Sequence, residues 1–108
     1  MDVRRTAAWR ELVRWAKYNL PWVCHLCGQP IPRWAGRFHP LSYALDHKLT
    51  VRDHPQYALT KDNVAPTHKR CNDYRKARPL TPGLVLEITE KYSARPPAAL
   101  GFFGEQPD

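Results

Sequence analysis

The chain has 108 residues, 43% of them hydrophobic, and its 17 Lys and Arg outweigh 10 Asp and Glu for a formal charge of +7. That length holds one domain with a modest core, and eleven prolines with a mean hydropathy of −0.62 leave so small a body in need of a staple. No apolar run approaches a bilayer span and no charged start leads into an apolar stretch, which argues against membrane and secretory classes; an intracellular protein without a membrane partner is expected.

In chain order, residues 5–19 place Ala8, Trp9, Leu12, Val13 and Ala16 at the i, i+3, i+4 spacing of an amphipathic helix, which ends near Asn19 ahead of Pro21. Residues 22–32 read as a strand end turning through a knuckle, with Gly28 supplying backbone freedom after Cys27. A loop follows over 33–42, then a short strand from Ser42 to Leu45 that delivers Asp46 and His47 at its end, where a bulge would aim both at one cavity. Arg52 to Asp62 is irregular, and a helix is expected from Thr67 until Pro79 stops it. Beyond that a Pro-rich, partly disordered C-terminal tail is expected over 79–108. In it Leu84 to Ile88 forms a short strand or helical turn packed on the body, and Ala94 to Asp108 is a mobile, Pro-rich tail whose Phe102 and Phe103 are its sizeable apolar residues.

The charge is unevenly spread. Residues 1–23 carry five basic against two acidic side chains, residues 24–76 nine against four, and residues 77–108 three against four. The positive excess therefore stops where the motifs stop, as expected for a partner with a phosphate backbone.

Two pairs, Cys24-x-x-Cys27 and His68-x-x-Cys71, have the spacing with which one turn presents two ligands to a tetrahedral ion. Joined, they make a closed Cys3His set for a structural Zn2+ that fastens distant parts of the chain together. His25, inside the first knuckle, is an alternative fourth ligand, and a redox Cys-x-x-Cys is the competing reading of the first pair.

Between the pairs stand Asp46-His47 and Asn63, and Asn72 directly follows the last ligand. Hydrolysis of a phosphodiester needs a base for water, a cation for the charge building at phosphorus, and stabilisation of the leaving oxygen. His47 suits the base and Asp46 a hard oxygen ligand for a divalent ion; Asn72 can add a second oxygen, and Asn63 can orient His47. From Cys24 to Lys76 there are four aspartates and no glutamate, which favours one ion over two.

In order and spacing, Cys24-x-x-Cys27-Gly28, Leu45-Asp46-His47-Lys48-Leu49, Asp62-Asn63-Val64-Ala65-Pro66 and Arg70-Cys71-Asn72 resemble the HNH endonuclease family. The resemblance covers residues 5–78. It implies an α+β fold with a small ββα-metal (His-Me finger) core, an N-terminal helix and a structural zinc, so that residues 1–78 form the nuclease domain. It also implies His47 as general base, Asp46 and Asn72 as ligands of Mg2+ or another divalent ion such as Mn2+ or Ni2+, and Asn63 as the residue that positions His47. Two positions depart from the common pattern: His68 stands where many relatives have cysteine, and Asn72 stands where others have histidine. Arg75 takes a slot where lysine is common. With Lys48, Lys69, Arg70 and Lys76 it is a candidate for contacts to DNA phosphates. Compact basic proteins of this kind resemble phage-encoded endonucleases, some acting with DNA packaging (terminase) proteins, which implies the host cytoplasm and a monomer or weak dimer. The rival expectation is a non-catalytic zinc module that binds nucleic acid or serves as an adaptor.

Overall fold

Thr6 starts the first helix: its Oγ1 accepts the Trp9 N–H at 3.1 Å and satisfies a donor that the helix leaves open. In the computed structural model, which describes residues 2–92, this helix is α1 (Ala7–Asn19), preceded by a 3-10 turn at Val3–Arg5. Strand β1 (Tyr43–His47) pairs antiparallel with β2 (Val64–His68), in unbroken register from Tyr43 opposite His68 to His47 opposite Val64. β2 runs directly into α2 (Lys69–Arg75), and after Pro79 the chain forms α3 (Pro82–Tyr92), whose start is capped by Thr81 Oγ1 accepting the Leu84 N–H. The result is a small α+β body with three α-helices and a two-stranded sheet among the described residues. None of these helices is long and apolar enough to cross a membrane.

A two-stranded sheet is too small to hold itself together, so each face is covered by something else. On one face α1 lays Trp9, Leu12 and Ala16 against Leu45 and Val64. Opposite, the knuckle at 24–27, Ile31, Cys71 of α2, and Leu84 and Ile88 of α3 form a second core. Full burial of side chains such as Leu12 or Ile88 contributes about 1.5–3 kcal/mol each. Cys24, Cys27 and Cys71 thus sit at the centre of one half of the interior.

Three expectations need correction. The end of β1 carries no bulge; its ladder is regular through His47. The segment 79–92 is not tail: Leu84 and Ile88 pack on the body as expected, but on a full helix, α3, that carries the packed body to Tyr92. The helix expected from Thr67 begins at Lys69, because Thr67 and His68 belong to β2; the stretch before Asn63 is irregular as expected, with 3-10 turns at Pro55–Tyr57 and Lys61–Asn63. Phe102, Phe103 and the rest of the expected tail from residue 93 lie outside the described residues.

Candidate metal centre and the cleft beside it

Cys24, Cys27, His68 and Cys71 converge, all four buried, with their ligand atoms within 4.8 Å of one another. Gly28, at φ +80°, turns the chain so that its N–H donates to the Cys24 carbonyl at 2.9 Å, which closes the knuckle. The His68 ring is oriented by Nε2, which donates to the Pro30 carbonyl at 2.9 Å. Nδ1 is left facing sulfur, 3.4 Å from Cys27 Sγ and 3.9 Å from Cys71 Sγ. A tetrahedron with Zn–S bonds of about 2.3 Å has edges of roughly 3.8 Å, so these separations fit an ion of that size. The electrostatics fit as well. Hydrogen bonds from Cys27, Cys71 and Thr67 hold the Cys24 thiol far below its ordinary range, and the contact with Cys24 in turn pushes Cys27 and Cys71 up. Three thiolates this close repel unless a cation lies between them, so the Cys3His cluster can hold a metal such as zinc.

His25 takes no part in this cluster. Its N–H donates to the Pro66 carbonyl at 2.9 Å, tying the knuckle to β2, and its ring points away from the sulfurs so that Nε2 lies 2.9 Å from Asp46 Oδ2. The fourth ligand position falls to His68.

Beside the metal centre a cleft of about 470 Å³ wraps the end of the sheet. Asp46, His47 and Asn72 line it together, with Lys76 from the end of α2 and Arg4 from the N-terminal turn. Consecutive residues reach one cleft without a bulge because the cleft crosses the strand end: His47 emerges on the α1 face and Asp46 on the α2 face.

The His47 ring stacks on Trp9 of α1, with ring centroids 4.9 Å apart and planes 26° from parallel. Its Nε2 lies 2.9 Å from the Ala58 carbonyl and can only donate there, which leaves Nδ1 as the basic nitrogen. Nδ1 is buried and has no hydrogen-bond partner among the described residues. Burial, reinforced by the charge of Arg4, lowers the His47 pKa below its ordinary value despite the Ala58 carbonyl, so the ring is neutral at physiological pH.

Burial alone would raise the Asp46 carboxyl, but the His25 hydrogen bond and the Arg75 guanidinium outweigh it and hold the group below the ordinary carboxylate range. Both donors use Oδ2, Arg75 Nη1 at 2.6 Å. Oδ1 has no partner among the described residues and remains available to a cation.

Asn63 is buried, but it does not touch the His47 ring as expected. Its amide brackets the loop instead, accepting from Leu49 N–H at 2.8 Å and donating to the carbonyls of Leu49 and Tyr57, next to the Ala58 carbonyl that holds His47. Arg75 requires the larger correction. Only 1% exposed, it lines the cleft from inside with its guanidinium committed to the protein: besides Asp46 it donates to the carbonyls of His47, Lys48 and Arg78. Its spacing held the clue, since Arg75 lies four residues after the ligand Cys71 and therefore on the same buried helix face. Lys69 is paired with Asp73 at 2.6 Å, and Arg70 is turned to the Tyr92 carbonyl and ring, whereas Lys48 and Lys76 are exposed. The sequence reading missed Arg4 and the His25–Asp46 contact, both of which depend on long-range packing. Asp53, the acid of the other Asp-His pair, is a surface residue bound to Thr50 and Arg52. No family model, curated protein or solved structure matches the chain.

Proposed function

We propose that the protein is a metal-dependent HNH-type endonuclease that hydrolyses DNA phosphodiester bonds, with β1, β2 and α2 as its ββα-metal core. The observation that carries this reading is the pairing, in one cleft, of a neutral imidazole with an unpartnered Nδ1 and a carboxylate with one free oxygen. His47 Nδ1 takes a proton from water as the water oxygen bonds to phosphorus and the bond to the 3′ oxygen breaks. The Ala58 carbonyl and the Trp9 face keep the ring from swinging, which preserves the alignment on which a positioned base depends. Arg4 and Lys76 at the rim attract and orient the phosphate backbone. Asp46 Oδ1 and Asn72 would hold the divalent ion, Mg2+ or one such as Mn2+ or Ni2+, which supplies neutralisation of charge at the scissile phosphate. The Cys3His cluster, having no open position, would hold a structural zinc.

Supercoiled plasmid incubated with the zinc-loaded protein and a panel of divalent ions tests this. Nicking or linearisation is expected, with His47→Ala slower by roughly two to four orders of magnitude and His54→Ala close to wild type. No cleavage with any ion, or full cleavage by His47→Ala, refutes the proposal; the first result leaves a non-catalytic zinc module that binds nucleic acid.

A further inference from the structure

The chain between the knuckle and β1 presents its aromatic side chains outward. Trp34 is 71% exposed and Phe38 79%, and neither belongs to a core cluster. Large apolar side chains on a surface are informative when the backbone beneath them is fixed. Here it is. The His39 N–H donates to the Gly36 carbonyl at 2.8 Å, the Ser42 N–H to the His39 carbonyl at 2.9 Å, and Ser42 Oγ to the Arg37 carbonyl at 3.2 Å. The N–H groups of Lys69 and Arg70 donate to the carbonyls of Ser42 and Pro40, both at 2.8 Å, which anchors the loop to the start of α2. The rings are therefore held out by a hydrogen-bonded turn.

The charge around the two rings has a single sign. From Gly28 to Leu45 there is no acidic residue, and Arg33 and Arg37 lie within that span. The Arg37 guanidinium sits 4.8 Å over the Phe38 ring, and His39 meets Trp34 edge-on at 5.1 Å. Fixed aromatic faces interleaved with cations and free of carboxylates make a surface on which bases stack while arginines meet the phosphates. A paired duplex keeps its base faces occupied by neighbouring bases, so the ligand that fits exposed rings is a strand with unpaired bases.

We propose that the loop from Arg33 to His39 is a stacking site for unpaired bases of single-stranded or locally opened DNA, with Trp34 and Phe38 as the platforms. This deepens the nuclease reading, on which the choice of DNA rests. The test titrates the zinc-loaded full chain, without added divalent ion, with a dT oligonucleotide of roughly 12 nucleotides, within the span such sites cover, and with a duplex of equal length. Tryptophan fluorescence should be quenched by the oligonucleotide in the wild type, and the quench should be largely lost in Trp34→Leu. Each of Trp34→Leu and Phe38→Leu should weaken oligonucleotide binding by roughly 5- to 150-fold, the usual worth of a stacked base, while duplex binding and zinc content stay at the wild-type level. Unchanged oligonucleotide affinity in the double variant, or an equal loss for duplex, overturns the proposal and leaves the loop to a protein partner. Plasmid cleavage on the same preparations separates the two readings. A quench without cleavage refutes only the nuclease, and cleavage with Trp34 silent refutes only the stacking site.

Discussion

Replacing Arg75 with methionine tests whether the centre of the site is an ionic brace. The change keeps much of the side chain's length but removes a guanidinium that is 1% exposed and bonded to Asp46 Oδ2 at 2.6 Å, to the Lys48 carbonyl at 3.2 Å, to the Arg78 carbonyl at 2.9 Å, and to the His47 carbonyl. Asp46, itself 3% exposed, would keep only the His25 hydrogen bond. Removing one partner of a buried pair costs about 3–5 kcal/mol because the other charge is left stranded. The orphaned carbonyls belong to the same network, so their cost is included rather than added. Against a total stability of about 5–15 kcal/mol this is a large fraction, and it corresponds to a Tm lower by roughly 12–40 °C for a domain of this size. Urea unfolding of zinc-loaded wild type, Arg75→Met, Asp46→Asn and the double variant measures it. The double variant should lose less than the sum of the singles, since asparagine leaves no charge to strand. If Arg75→Met unfolds within about 0.5 kcal/mol of wild type yet binds DNA more weakly, the brace is refuted and Arg75 is a surface phosphate contact.

Elemental analysis should find one zinc per chain, and Cys71→Ser or a strong chelator should unfold the half of the body built around the cluster, because binding and folding energy are coupled there; a folded protein free of zinc contradicts this. His25→Ala should raise several-fold the divalent-ion concentration needed for cleavage, and His25→Gln, which keeps a donor, should restore part of the loss; equal behaviour of the two variants excludes the hydrogen bond to Asp46 as the cause. The folded His47 ring takes up a proton at lower pH than the unfolded ring, so its contribution to stability is complete above about 6.5 and is lost as pH falls below that toward the depressed folded value. The acid limb of kcat/KM should accordingly lie below 6.5, and a limb at or above that value would contradict the burial of His47. Lys76 is held at φ 58°, ψ −136°, so Lys76→Gly should raise stability by about 1 kcal/mol while weakening DNA binding through the lost charge; unchanged urea stability would show that the backbone there is unstrained.

Local signals in the sequence carried a long way. The stripe of Trp9, Leu12 and Ala16 defines α1, and the two ligand pairs define a cluster that the structure brings together. Local pattern fails where one element's meaning depends on another. Arg75 reads as a surface cation because arginine usually is one, and only the buried carboxylate of Asp46, from a strand 29 residues away, makes its burial tolerable. Asn63 reads as an orienting group for a neighbour of known importance, yet it braces the loop that carries the Ala58 carbonyl. His25 could be placed only by the direction of the knuckle, since both possible partners are polar and close. The helix α3 is hidden for another reason: Leu84 and Ile88 mark a single turn, too short to separate helix from strand without the core they fill.

Because the cleft crosses the end of β1, the environments of Asp46 and His47 are furnished from opposite sides of the sheet. His47 takes its surroundings from Trp9 and the Ala58 loop, and the Asp46 carboxylate takes its own from His25 and Arg75. Substitutions in α1 therefore act first on the His47 ring and those around the knuckle first on the Asp46 carboxylate, the two remaining linked through the charges of Asp46 and Arg75 that reach the ring. In a chain this small, two neighbouring side chains are thus exposed to largely different sets of substitutions, although they are joined by a single peptide bond.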